Sequence, residues 1–193
     1  MSSAYRTVSL EAAQVIEGLI PLDLQIEEST KSHETKEKRD ILRNHTMTEW
    51  QTRWNNLRGK AEWTRELIAD IGEWIGRNQG EVNFYITQFL SAHGCFQYFL
   101  NKIKKADSAT CTHCYKGEDT AQHTFFECYK WKDNKQQLTT KLGREITSTN
   151  IIGVMLEATE CWEMVNTYIT GILKQKEKDE RERNRRHPEI QEW

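Results

Sequence analysis

Proline is scarce in this chain, with two in 193 residues, and glycine is modest at ten. So few breakers leave helices uninterrupted, and a mainly α-helical fold is expected. A basic excess is missing as well. The formal net charge is -2, which excludes a globally basic nucleic-acid binder and confines any such contact to local patches. No run of about 18 apolar residues occurs, so no membrane span is expected. The N-terminal MSSAYRTVSLEAAQ lacks a basic start followed by an apolar run, so no secretory signal is expected. The five cysteines are an odd number and do not read as a disulfide framework. They point to a reducing compartment, nuclear and cytoplasmic rather than secreted.

What is present is aromatic. Seven Trp, six Tyr and six Phe must supply much of the buried area in a chain that is only 37% hydrophobic.

The densest chemistry lies in CTHCYKGEDTAQHTFFEC. Cys111, Cys114, His123 and Cys128 are spaced Cys-x2-Cys-x8-His-x4-Cys. Three thiolates and an imidazole suit one tetrahedral zinc. Two residues between Cys111 and Cys114 let both sulfurs converge from one tight turn. His123 and Cys128 are five apart, which suits a helix start, and Gly117 relaxes the reversal between the pairs. Four protein ligands close the shell, which marks a structural site. His113 falls between the first two cysteines and should point away from them. Cys95 and Cys161 are left over.

Along the chain, residues 1–20 read as a helix capped by Ser9, with an apolar stripe of Leu10, Ala13, Val15, Ile16, Leu19 and Ile20 before Pro21. Residues 22–60 read as a long, charged helical stretch in which Trp50 and Trp54 share a face. Residues 61–80 form another helix, ended by Asn78 and Gly80. Residues 81–92 are expected to be a buried helix. A short helix follows Gly94 and delivers Lys102, Lys104 and Lys105 ahead of the metal loop. After His123 a helix is expected to run through Cys128 to about Leu142. Asn150 caps the next one, and an apolar pattern from Ile151 to Leu173 leads into a charged helical tail that frays before Pro188. This divides into linker helices (1–60), which the resemblance given below makes thumb-like, a helical core with the zinc knuckle at 111–128 (61–142) and C-terminal helices with a charged tail (143–193). Long charged helices thus stand at both ends.

Several segments carry a resemblance. AYRTVSLEAAQVIEGLIPLDL, then KAEWTRELI, then GEVNFYITQFLSAHGCFQYFL, then CTHC…HTFFEC occur in order over residues 4–130. This series resembles the region after the polymerase core in reverse transcriptases of LINE-type non-LTR retrotransposons, particularly the insect type-1 ribosomal-DNA elements. One departure is Ala92, where a Gly often precedes His93 and Gly94. The resemblance implies a C-terminal piece of such a polyprotein, without its polymerase palm or endonuclease, and hence a chain that is not itself an enzyme. It implies a knuckle that helps to hold template RNA or target DNA during target-primed reverse transcription, with the parent's polymerase core as a further partner.

Zinc knuckles grip single strands by base stacking and local positive charge. The candidate contacts are Lys102, Lys104, Lys105, Tyr115, Lys116, Lys130, Trp131 and Lys132. Phe125, Phe126 and Tyr129 are expected to pack the knuckle onto the helices. His93 and Cys95 flank a tight bend and are not expected to form a nucleophile pair. The carboxylates, among them Glu118 and Asp119, form no two-metal pattern. The alternative to nucleic-acid binding is a zinc-stabilised protein-interaction module or an inactive remnant.

Overall fold

The computed structural model describes residues 7–35 and 38–186. The first six residues of the expected first helix and the fraying near Pro188 lie outside the described residues. Within them the chain is mainly helical, with ten α-helices, no strand, and one isolated bridge between Thr110 and Glu118.

Helix α1 (Leu10–Glu17) starts where Ser9 accepts a hydrogen bond from the Ala12 N–H at 3.2 Å. It stops at Gly18, whose φ of 69° sends the chain left-handed. The stripe differs from expectation. Val15 and Ile16 are buried with Ala12, while Leu10 and Leu19 stay exposed.

Helices α2 (Leu22–Glu34) and α3 (Arg39–Asn56) replace the single stretch expected over 22–60. They fold back on each other, since Asp23 pairs with Arg53 and Glu28 with Arg43. The reason is the buried face of α3. Leu42, Thr46, Trp50 and Trp54 recur every four residues, and the fold-back covers that row.

The helix expected over 61–80 is two helices, α4 (Glu62–Leu67) and α5 (Ile71–Ile75). α3 stitches the break between them. The Trp54 indole N–H donates to the Ile68 carbonyl at 2.8 Å, and Gln51 Oε1 accepts from the Ile71 N–H at 2.8 Å. Asp70 then caps α5 by accepting from the Glu73 N–H.

Helix α6 (Phe84–Ser91) is buried as expected. Asn83 caps it by accepting from the N–H groups of Tyr85 and Ile86. Helix α7 (Gln97–Lys102) leads to the metal loop. Beyond the loop come α8 (Lys132–Leu142), α9 (Ile151–Glu157) and α10 (Thr159–Arg186). Asn150 precedes α9 but does not cap it through a side-chain bond. It instead bridges the Thr147 N–H and the Glu145 carbonyl.

Helix α10 is the spine, packing on α9, α6 and α8. Its buried face is Trp162, Val165, Ile169, Ile172 and Leu173 at helical spacing. The Trp162 ring lies 6.0 Å from that of Trp74, centroid to centroid. It also sits directly over Gly80, where φ is 83° and an added Cβ would lie 2.1 Å from the indole. Phe125 joins the metal segment to this core. It is 1% exposed and makes edge contacts with Phe89, Phe96 and Tyr168. Truncating a buried Phe removes about 3–5 kcal/mol, so the metal segment is held firmly even before any ion is considered.

Candidate metal centre

The first two ligands sit on a tight loop. The Cys111 N–H donates to the Gly117 carbonyl at 3.0 Å, the Tyr115 N–H to the Cys111 carbonyl at 2.9 Å, and the Asp119 N–H to the Ala109 carbonyl at 2.8 Å. Gly117 takes φ 69° within this loop, and Tyr115 takes φ 56°. For a residue with a Cβ that conformation costs about 1–2 kcal/mol. The loop therefore holds Tyr115 against its own preference, 79% exposed.

His123 begins a π-helical turn, His123–Glu127, where Thr120 Oγ1 accepts from its N–H at 3.0 Å. The turn closes when the Cys128 N–H donates to the His123 carbonyl at 2.7 Å. The His-x4-Cys spacing thus fits a π-helical i to i+5 bond rather than an α-helical one. This corrects the expected helix through Cys128. Cys128 is extended, with φ -64° and ψ 121°, and a turn of 3-10 helix, Tyr129–Trp131, intervenes before α8. The extended backbone at Cys128 stands between the two turns and carries the thiol that joins the cluster.

All four ligand atoms lie within 4.8 Å of one another. Cys111 Sγ and Cys128 Sγ are 3.8 Å apart, and Cys114 Sγ is 3.2 Å from His123 Nε2. Two thiolates bound at about 2.3 Å to one tetrahedral ion stand about 3.8 Å apart, so the first pair already has that edge length. A disulfide would need about 2.05 Å, and all five cysteines are free. Burial, together with the neighbouring Cys111 and Cys114, raises the Cys128 thiol. The donor set and its spacing therefore fit a metal ion.

The surroundings orient these ligands. Lys116 N–H donates to Cys114 Sγ at 3.4 Å. His123 Nδ1 faces Glu127 at 3.9 Å, leaving Nε2 for the ion. His113 points away, as its place between the cysteines predicts. Its Nε2 is 3.0 Å from Asp179 on α10, and its ring lies against Trp131.

Sequence reasoning missed the tie beneath the loop. Asp119 is 0% exposed and Lys176 1%. The Lys176 ammonium donates to both Asp119 oxygens, at 2.8 and 2.7 Å. Thr124 Oγ1–H and the Gln97 N–H also donate to the carboxylate. Burial alone would raise the Asp119 carboxyl, but the ammonium and these donors hold it below the ordinary range. One carboxylate therefore joins α7, the metal segment and α10. The signal was present, because Lys176 continues the buried stripe of α10 one turn beyond Ile172.

The proposed nucleic-acid contacts fare unevenly. Lys102, Lys104, Lys105, Lys116, Lys130 and Lys132 are exposed, as is Tyr115. Trp131 is only 5% exposed and packs against the core. Tyr129, expected to pack, is 78% exposed, while Phe125 is buried and Phe126 lies beside Trp63. His93 and Cys95 form no nucleophile pair. His93 Nδ1 is 2.6 Å from the Ser91 carbonyl, and burial pushes the Cys95 thiol up to about 12.

The chain is 22% identical over 189 residues to the retrovirus-related Pol polyprotein from type-1 retrotransposable element R1 2 of Nasonia vitripennis. That alignment covers 83% of this chain and 45% of the relative. It is 22% identical over 191 residues to the corresponding polyprotein of element R1 4 from the same organism, covering 87% and 48%. The chain thus spans about half the length of the curated relatives it matches. No family model matches, and no solved structure matches. The similarity over most of the chain supports a retrotransposon-related region. Among the described residues no helix is long and apolar enough to cross a membrane.

Proposed function

We propose that this chain is a zinc-stapled nucleic-acid-binding part of a non-LTR retrotransposon Pol polyprotein. It holds single-stranded RNA or target DNA during target-primed reverse transcription. One observation carries the reading: Cys111, Cys114, His123 and Cys128 converge within 4.8 Å in a chain similar to Pol polyproteins over most of its length.

Three thiolates and one imidazole favour zinc. With four protein ligands the ion supplies cross-linking and charge neutralisation, and no coordination position is left for water. The chain is then a non-catalytic piece that works beside a polymerase core. The exposed Tyr115, Lys116, Lys130 and Lys132 flank Cys114 and Cys128 in sequence and offer one stacking surface and three charges. Lys102, Lys104 and Lys105 extend that charge from the end of α7.

A protein-interaction module is the second reading. It is favoured by the exposed Leu10, Leu19, Leu22 and Ile26 on the first two helices and the turn between them.

The test measures zinc content together with binding to single-stranded RNA, with and without a chelator. One zinc per chain, with RNA binding lost on chelation, is expected. Zinc without RNA binding at moderate salt would favour the interaction module.

A further inference from the structure

We propose that the cleft between the π-helical turn and α8 receives one unstacked base of a single strand, with Tyr129 as its stacking platform. This rests on the nucleic-acid reading above and adds the site at which a base is held.

The cleft has a volume of about 410 Å³. Phe126, Tyr129, Trp131, Lys132, Lys135 and Gln136 are among its lining residues. Tyr129 follows Cys128 directly, and the 3-10 turn leaves its ring 78% exposed. Tyrosine at a cleft mouth offers a flat apolar face with little side-chain entropy to lose. In the wall, Trp131 is 5% exposed, and its buried indole N–H has no acceptor among the described residues. A buried donor without an acceptor is rare and unfavourable. That nitrogen is itself closed to solvent, so an acceptor on a base meets it only when the indole turns toward the cleft.

Charge selects a base over a phosphate for the interior. Lys132 and Lys135 line the cleft together with Glu127 and Glu145. The Lys135 ammonium is already engaged, donating to Glu145 at 3.0 Å and to the Phe126 carbonyl at 3.4 Å. The interior is therefore near neutral. Lys130 is exposed next to Tyr129, and Lys132 is exposed at the start of α8. They suit the backbone phosphates that flank an inserted base. The metal fixes the geometry, because Cys128 precedes the platform by one residue.

The experiment uses the full zinc-loaded chain and a single-stranded RNA of about twelve nucleotides carrying 5-iodouridine. Affinity is measured for the wild type, Tyr129→Ala and Tyr129→Phe, and photocrosslinks are mapped by mass spectrometry. Loss of one stacked base predicts roughly 5- to 150-fold weaker binding for Tyr129→Ala. Tyr129→Phe should bind as the wild type does, and the crosslink should fall on Tyr129. Zinc content should be unchanged in both variants. Wild-type affinity in Tyr129→Ala refutes the cleft while leaving the nucleic-acid reading intact. A wild-type protein that binds no RNA refutes that reading and the cleft with it.

Discussion

Replacing Lys176 with methionine would leave a buried carboxylate without its cation. Methionine matches the length of the lysine stem, so packing changes little. Asp119 would keep the Thr124 hydroxyl and the Gln97 N–H as donors, but nothing would balance its charge. Breaking one side of a buried pair costs about 3–5 kcal/mol. Against a total stability of about 5–15 kcal/mol, that is a large fraction. For a chain of this size it corresponds to a fall in Tm of roughly 6–20 °C.

The pH dependence separates this cause from general damage. In the wild type the folded Asp119 carboxyl lies below its ordinary value of 3.8. Its contribution is full above the unfolded pKa and is lost as pH falls through the folded value, in the acid range below about 4. In Lys176→Met burial dominates, and the carboxyl rises above the unfolded value. The variant then becomes easier to fold as pH falls and the acid is protonated. The gap to wild type should be widest near neutrality and narrow toward pH 5. Denaturant unfolding at two pH values, with zinc held constant, measures both. A gap under about 1 kcal/mol at neutral pH, or one independent of pH, would refute the reasoning.

Three further outcomes follow from the geometry. Cys114→Ser should lower zinc content and stability together, since metal binding and local folding are linked, and full zinc occupancy in that variant would overturn the ligand assignment. Charge reversal at Lys102, Lys104 and Lys105 should weaken single-stranded RNA binding and reduce its logarithmic salt slope by about 2, read from titrations at several salt concentrations. Gly80→Ala should destabilise the chain by about 3 kcal/mol in thermal or denaturant melts, because its Cβ would lie 2.1 Å from the Trp162 ring at a φ of 83°.

The clustering of Cys111, Cys114, His123 and Cys128 was legible because it is local. Four residues within eighteen positions carry their spacing on the face of the sequence, and their convergence needed only two turns. The helical class was legible for the same reason, from periodicity and scarce breakers. What escaped is set by distant neighbours. The break at Ile68 depends on a hydrogen bond from Trp54, and the split of α2 from α3 depends on a row of residues that only the fold-back buries. Trp131, a candidate contact, is buried, and Tyr129, expected to pack, is exposed. Two residues on one 3-10 turn face opposite ways there, and composition alone does not say which ring meets solvent. Asp119 looked like any loop carboxylate because its partner lies 57 positions away. Lys176 itself gave a hint, a lysine in register with Ile169 and Ile172, where the stripe was read as ending at Leu173.

That distant pairing argues that the metal loop and α10 unfold as one unit. Asp119 sits four residues before His123 and is tied by its backbone to Ala109 and Tyr98. Without an ion, the three thiols and the imidazole lose their common centre, and the loop carrying Asp119 loosens. The Lys176 ammonium would then face the core without its carboxylate. An unpaired buried charge is costly, so the middle of α10 must open to water as the loop does. His113 and Asp179 give the same helix a second tie, one turn further on. Chelating the metal should therefore raise amide exchange around residues 172–180 as well as in 109–128. The α2–α3 pair, which packs away from α10 through its own ion pairs, should change little. Exchange confined to 109–128 would show that this segment folds independently and that the buried pair does not transmit the loss of a metal.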